Sequence, residues 1–113
     1  LRRRGIKIAV ASNSKNATNI IHKVNIAQYL DTIVDGYDIK NNKPHPEPFL
    51  LAAERLKVEP QYCLVVEDAV AGVIAAQAAN MKVLGIGDPS SLPNAPKLVK
   101  NLSEITVDEL LNL

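Results

Sequence analysis

Val65-Val66-Glu67-Asp68-Ala69-Val70-Ala71-Gly72 is the stretch that decides the fold. The apolar run Cys63 to Val66 stops at two adjacent acids, and a small-residue helical pattern begins at once. Two carboxylates at the end of a buried strand are costly to desolvate unless something cationic meets them. In open α/β sheets, ligands bind at that end of the strands. A hard cation such as Mg²⁺ takes oxygen ligands of this kind and keeps several waters. The stretch therefore reads as one wall of a metal-assisted phosphate site. A plainer reading stays open beside it: Asp68 as the N-cap of the next helix, and Glu67 solvated at the sheet edge.

Working outward, strands and helices alternate. Ile6 to Ala11 reads as a buried strand, followed by a polar turn at Ser12-Asn13-Ser14. Lys15 to Val24 has helical spacing, and Ala27 to Leu30 adds a short helical turn. Thr32 to Val34 is a second strand, and Asp35 to Pro46 a loop rich in Gly, Asn and Pro. Pro48 to Leu56 is expected as a helix with Phe49, Leu50, Ala53 and Leu56 facing the core. Cys63 to Val66 is a third strand, its unbroken apolar run suiting burial on both faces. Ala69 to Asn80 is an Ala-rich helix with Asn80 as its left-handed cap. Val83 to Ile86 is a fourth strand, and Gly87 to Pro96 a turn-rich loop. Thr106 to Glu109 is a capping box opening a last helix. Such alternation implies right-handed βαβ units and a mostly parallel sheet.

Composition narrows the function. The 113 residues suit one small domain. An apolar content of 47% argues for a packed core rather than disorder. Net charge is +1 with the signs interspersed, so no nucleic-acid face is expected. The one basic run, Arg2-Arg3-Arg4 before Gly5, reads as a solvated helix end. No apolar stretch approaches the roughly 20 residues of a membrane helix, so no membrane partner is expected. The single Cys63 forms no internal disulfide, consistent with a reducing, cytoplasmic setting.

Two further segments carry chemistry. Ser12-Asn13-Ser14-Lys15-Asn16 offers hydroxyls, amides, a lysine and the N–H groups of a helix start, a natural anion site. Ser14 as an ordinary N-cap is the plain alternative. Lys43-Pro44-His45-Pro46-Glu47-Pro48 holds Lys43 on a loop stiffened by three prolines, where its ammonium can serve a phosphoryl group or simply be solvated.

Taken together, V-A-S-N-S around Ser12, N-K-P-H-P-E-P-F around Lys43 and V-V-E-D-A-V-A-G-V around Glu67-Asp68 resemble motifs II, III and IV of the haloacid dehalogenase superfamily. The resemblance covers about residues 6–87 and is nearest to the β-phosphoglucomutase-like branch. It implies a Rossmannoid three-layer α/β/α fold with a parallel sheet. Residues 1–113 would be the C-terminal portion of the core domain, with the first strand and the cap domain missing. It implies that Ser12 hydrogen-bonds the transferring phosphoryl group and that Lys43 neutralises it. Asp68 would ligate Mg²⁺, with Glu67 as ligand or support. Asn13, Ser14, Lys15 and Asn16 would line the grip on the non-reacting phosphate of a sugar phosphate.

The sequence departs from that family in three ways. No D-x-D-x-T/V nucleophile motif occurs in it, Ala69 stands where serine is common, and Asn80 where glycine is common. The chain starts at Leu1 without Met and reads as a fragment, inert alone, that needs an N-terminal segment and cap of the same protein. The expected activity of the parent is phosphoryl transfer through an aspartyl-phosphate. The alternatives are a sugar-phosphate phosphatase and a non-catalytic binding module. One structural expectation follows. In the resembled fold the strand order is 5-4-1-2-3, so the strands at Ile6–Ala11 and Cys63–Val66 would flank the absent strand and each present an unpaired, apolar edge.

Overall fold

The computed structural model describes residues 6–12, 30–100 and 109. The expected helix at Lys15–Val24 lies outside them. So do the Leu1–Gly5 helix end, nearly all of the Ala27–Leu30 turn, and the closing helix apart from Glu109, which is helical. The architecture is α/β with parallel strands. Strand β1 (Ala9–Ala11) pairs with β2 (Thr32–Val34), Val10 opposite Ile33. A separate sheet runs in the order β3 (Leu64–Glu67), β4 (Lys82–Ile86), β5 (Leu98–Val99). Helix α1 (Glu47–Leu56) joins the two sheets, and α2 (Val70–Ala78) connects β3 to β4.

All four expected strands are present, with shifted ends. β1 starts late because the Ile8 N–H is taken by the Asp31 carboxylate at 2.7 Å rather than by a strand. β5 was not expected; two residues are too short to show a period.

Helix α1 forms because Pro48 fits a first-turn position and Glu47 sits at the positive end of the helix dipole. Its end is marked by Lys57 at φ 59°, with the Val58 N–H reaching back to the Ala53 carbonyl at 3.1 Å. Asn80 caps α2 in the left-handed region as expected, at φ 61°. One core assignment needs correcting. Leu50 is 40% exposed, and Ala52 is buried instead. The reason is that α1 serves two cores. Ala52 packs with Val34 and Ile39 beside β1 and β2, while Phe49 and Ala53 pack with Val65 of β3, Val73 and Ala76 of α2, and Met81 just before β4. Leu50 points away from both. Arg55 on the same helix donates to the Ile33 carbonyl at 2.8 Å and pairs with Asp38 at 3.1 Å. That hydrogen-bonded pair holds the Asp38 carboxyl below the usual range.

No backbone hydrogen bond joins β1 to β3 among the described residues. Between them lies a cleft of about 850 Å³, walled by Ile8, Val10 and Ala11 on one side and Leu64, Val66 and Glu67 on the other. Val66 stands 41% exposed there. The expected gap between these two strands is thus present. Unpaired apolar strand edges are templates for association. Residues 1–113 expressed alone are therefore expected to self-associate in sedimentation velocity. A monomer with a cooperative unfolding transition would show that the cleft closes without a further strand.

Candidate functional site

Parallel pairing gathers strand C-termini on one edge, and the site is built there. β1 ends at Ala11 and is followed by Ser12, whose N–H donates to the Val34 carbonyl at 2.8 Å. β3 ends at Glu67, followed by Asp68. Lys43 arrives from the loop between β2 and α1.

Lys43 joins the two sheets. Its Nζ donates to the Ala11 carbonyl at 3.0 Å and pairs with Glu67 Oε2 at 3.1 Å. The two side chains are only 13% and 11% exposed. The ammonium also sits 4.8 Å from the centre of the Phe49 ring, a cation–π contact. The ion pair is thus largely withdrawn from water, where charge interactions are less screened. The loop that carries Lys43 is closed by Glu47. Its carboxylate accepts from the Lys40 N–H and from the Asn41 amide at 2.9 Å, while its own N–H donates to His45 Nδ1 at 3.0 Å. The Lys43–Pro44 peptide is cis.

Those hydrogen bonds, the Lys40 N–H first, hold the Glu47 carboxyl below its ordinary range. A group with a lowered folded-state pKa stabilises above its unfolded value and loses that effect as pH falls through the folded one. The clamp is therefore expected to hold at neutral pH and to release in acid, below the ordinary carboxylate range. Amide exchange at Lys40 measured against pH would check this. Fast exchange at neutral pH would show that the clamp is not formed.

Glu67 turns back over the start of α2. Its Oε1 accepts from the N–H groups of Asp68 at 3.0 Å and Ala69 at 3.1 Å. This corrects the plain reading of the acidic pair. The N-cap position of α2 is Ala69, with no side-chain cap of its own, so Asp68 is not the cap. Nor is Glu67 solvated at an edge. Asp68 is the exposed member, and its carboxylate has no hydrogen bond among the described residues.

Ser12, Lys43, Glu67 and Asp68 thus share one edge. Asn13, Ser14, Lys15 and Asn16 lie outside the described residues. Among the described residues no group of three His, Cys, Asp or Glu gathers as a metal cage. The donor set still suits Mg²⁺, which is commonly held by one or two carboxylates plus waters and phosphate oxygens. An exposed carboxylate at a strand end, beside a second one, meets that need. Cys63 offers no nucleophile, since burial pushes its thiol pKa up. No helix among the described residues is long and apolar enough to cross a membrane.

Three participants were not read from the sequence: the Phe49 ring under Lys43, the Ala11 carbonyl, and buried Gly72, where a Cβ would overlap the Glu67 carboxylate. A helical glycine with no capping role was the one local signal.

Comparison with known proteins places the chain in one family. A family model described as haloacid dehalogenase-like hydrolase matches residues 1–86. The chain is 36% identical over 110 residues to the β-phosphoglucomutase of Bacillus subtilis, covering 97% of this chain and 49% of that protein. It is 36% identical over 84 residues to a fructose-1-phosphate phosphatase of Escherichia coli, covering 74% and 45%. A crystal structure of β-phosphoglucomutase from Clostridium difficile superposes with a TM-score of 0.92 at 39% identity, covering 98% of this chain and 50% of that one. The chain spans about half the length of these relatives.

Proposed function

The chain belongs to the haloacid dehalogenase-like hydrolases, and from that premise we propose that the protein carrying it catalyses Mg²⁺-dependent phosphoryl transfer on a sugar phosphate, in the manner of a β-phosphoglucomutase. The observation that carries this reading is Lys43. Its ammonium bridges the Ala11 carbonyl at the end of β1 and Glu67 at the end of β3, two residues that line the cleft between those strands. A strand seated in that cleft would end beside this charge. A carboxylate at its end would be steadied there for attack on phosphorus, forming an aspartyl-phosphate as the bond from phosphorus to the sugar oxygen breaks and that oxygen takes up a proton. No aspartate among these 113 residues stands in a D-x-D pattern, so that group would come from a preceding segment of the same protein, along with a cap domain.

Within this reading each residue has a task. The Ser12 hydroxyl hydrogen-bonds the transferring phosphoryl group. Lys43 neutralises charge that builds on its oxygens. Asp68 would hold Mg²⁺ with Glu67 beside it, and the ion would supply charge neutralisation for the phosphoryl group. Asn13, Ser14, Lys15 and Asn16 grip the non-reacting phosphate.

A second reading, phosphatase action on a sugar phosphate, is supported by the name of the Escherichia coli relative. The test is an assay of the complete protein on hexose monophosphates with and without Mg²⁺. Isomerised sugar phosphate supports the mutase, and free phosphate the phosphatase. Neither product at any Mg²⁺ concentration would leave a non-catalytic binding module and overturn both.

A further inference from the structure

We infer that Gly72 is a positioning residue for the Lys43–Glu67 pair, acting through the space it leaves for the Glu67 carboxylate. Glu67 bends back so that Oε1 covers the Asp68 and Ala69 N–H groups while Oε2 faces Lys43. That posture lays the carboxylate across the first turn of α2, over buried Gly72. A Cβ on Gly72 would overlap Glu67 Cγ, Cδ and Oε2. The volume used by the carboxylate is the volume a side chain at position 72 would fill.

Backbone freedom does not explain this glycine. Among the described residues the glycine with positive φ is Gly87, not Gly72. Inside a helix, glycine is less favourable than alanine by about 1 kcal/mol. Gly85 makes a useful contrast, because a Cβ there would meet Ala95 Cβ and Leu98 Cδ1, both at 2.9 Å. That glycine is set by close packing against β5 and its preceding loop. At Gly72 the obstacle is instead the end of a flexible side chain. A methyl group at 72 therefore displaces the carboxylate and leaves the helix standing. Lys43 keeps the Ala11 carbonyl and the Phe49 ring but loses its anion.

The structural part stands by itself; its effect on turnover rests on the phosphoryl-transfer reading above. The experiment compares Gly72→Ala, Glu67→Ala and the double variant in the complete protein. Three readouts are taken: thermal unfolding, the rate at which an amine-reactive ester labels Lys43 (by peptide mass spectrometry), and steady-state kinetics. Gly72→Ala is expected to melt below the unmodified protein but no lower than Glu67→Ala, while Lys43 labels several-fold faster. Turnover should fall about 100-fold, the scale of a misplaced catalytic group, with KM little changed. The double variant should match Glu67→Ala alone in labelling and kinetics and melt no lower than it, because the carboxylate that clashes is already gone and alanine suits a helix better than glycine. Unchanged Lys43 labelling in Gly72→Ala overturns the inference, and so do losses that multiply in the double variant. If Gly72→Ala alone fails to fold, the double variant must still melt no lower than Glu67→Ala, or the inference fails. Faster labelling in a protein that turns over no sugar phosphate would keep the inference and overturn the phosphoryl-transfer reading.

Discussion

Replacing Asp68 by Asn is expected to lower Mg²⁺-dependent turnover of the complete protein by on the order of a thousandfold, since a metal ion contributes several kcal/mol of charge stabilisation. Asn keeps the size of the side chain and one carbonyl oxygen. It removes the negative charge that a hard dication requires of its ligands. The fold should not register the change. The Asp68 side chain is exposed, takes no part in capping α2, and makes no hydrogen bond among the described residues. Melting temperature should stay put while activity collapses. Kinetics over a wide Mg²⁺ range separate weakened metal binding, recovered at high concentration, from a lost catalytic arrangement, which is not. Turnover like that of the unmodified protein at ordinary Mg²⁺ would remove Asp68 from the site.

The second large effect belongs to Lys43. Lys43→Ala leaves a carboxylate only 11% exposed without its cation. Removing one partner of a buried pair costs about 3 kcal/mol. The two N–H groups that still serve Glu67 Oε1 place the expected cost at or below that figure. In turnover the loss should reach about 100- to 1,000-fold, comparable to deleting a donor aimed at developing transition-state charge. Lys15→Ala provides the contrast. Lys15 is assigned by family resemblance to a spectator phosphate, so its removal should mainly raise KM. If Lys15→Ala instead takes kcat and Lys43→Ala takes KM, the two phosphate sites have been exchanged.

Much of this was readable in the residues. The stop of an apolar run at Glu67-Asp68 marks a strand end, because burial and charge are both written locally. Lys43 stood out through the prolines around it. What was not readable is contact across distance. Lys43 lies 32 residues from Ala11 and 24 from Glu67, and no local period encodes such meetings. The inward face of α1 was misread for the same reason. Its pattern gave one apolar stripe, whereas the helix divides Ala52 and Ala53 between two cores and leaves Leu50 outside both. Glu67 was read either as a ligand or support for Mg²⁺ or as solvated at the sheet edge. Its actual course depends on an empty volume above Gly72, and sequence reports side chains rather than the space beside them.

The cleft between β1 and β3 also bears on fidelity. A segment seated there would hydrogen-bond on both flanks at once, so it would have neighbours on two sides to report an error. Slipping by one residue would turn every side chain to the opposite face of the sheet. An acid at its end would then point away from Lys43. The same slip that misfolds such a protein also silences it. On the phosphoryl-transfer reading proposed above, a wrongly threaded copy would be inactive rather than indiscriminate, a safeguard set by the geometry of strand insertion itself.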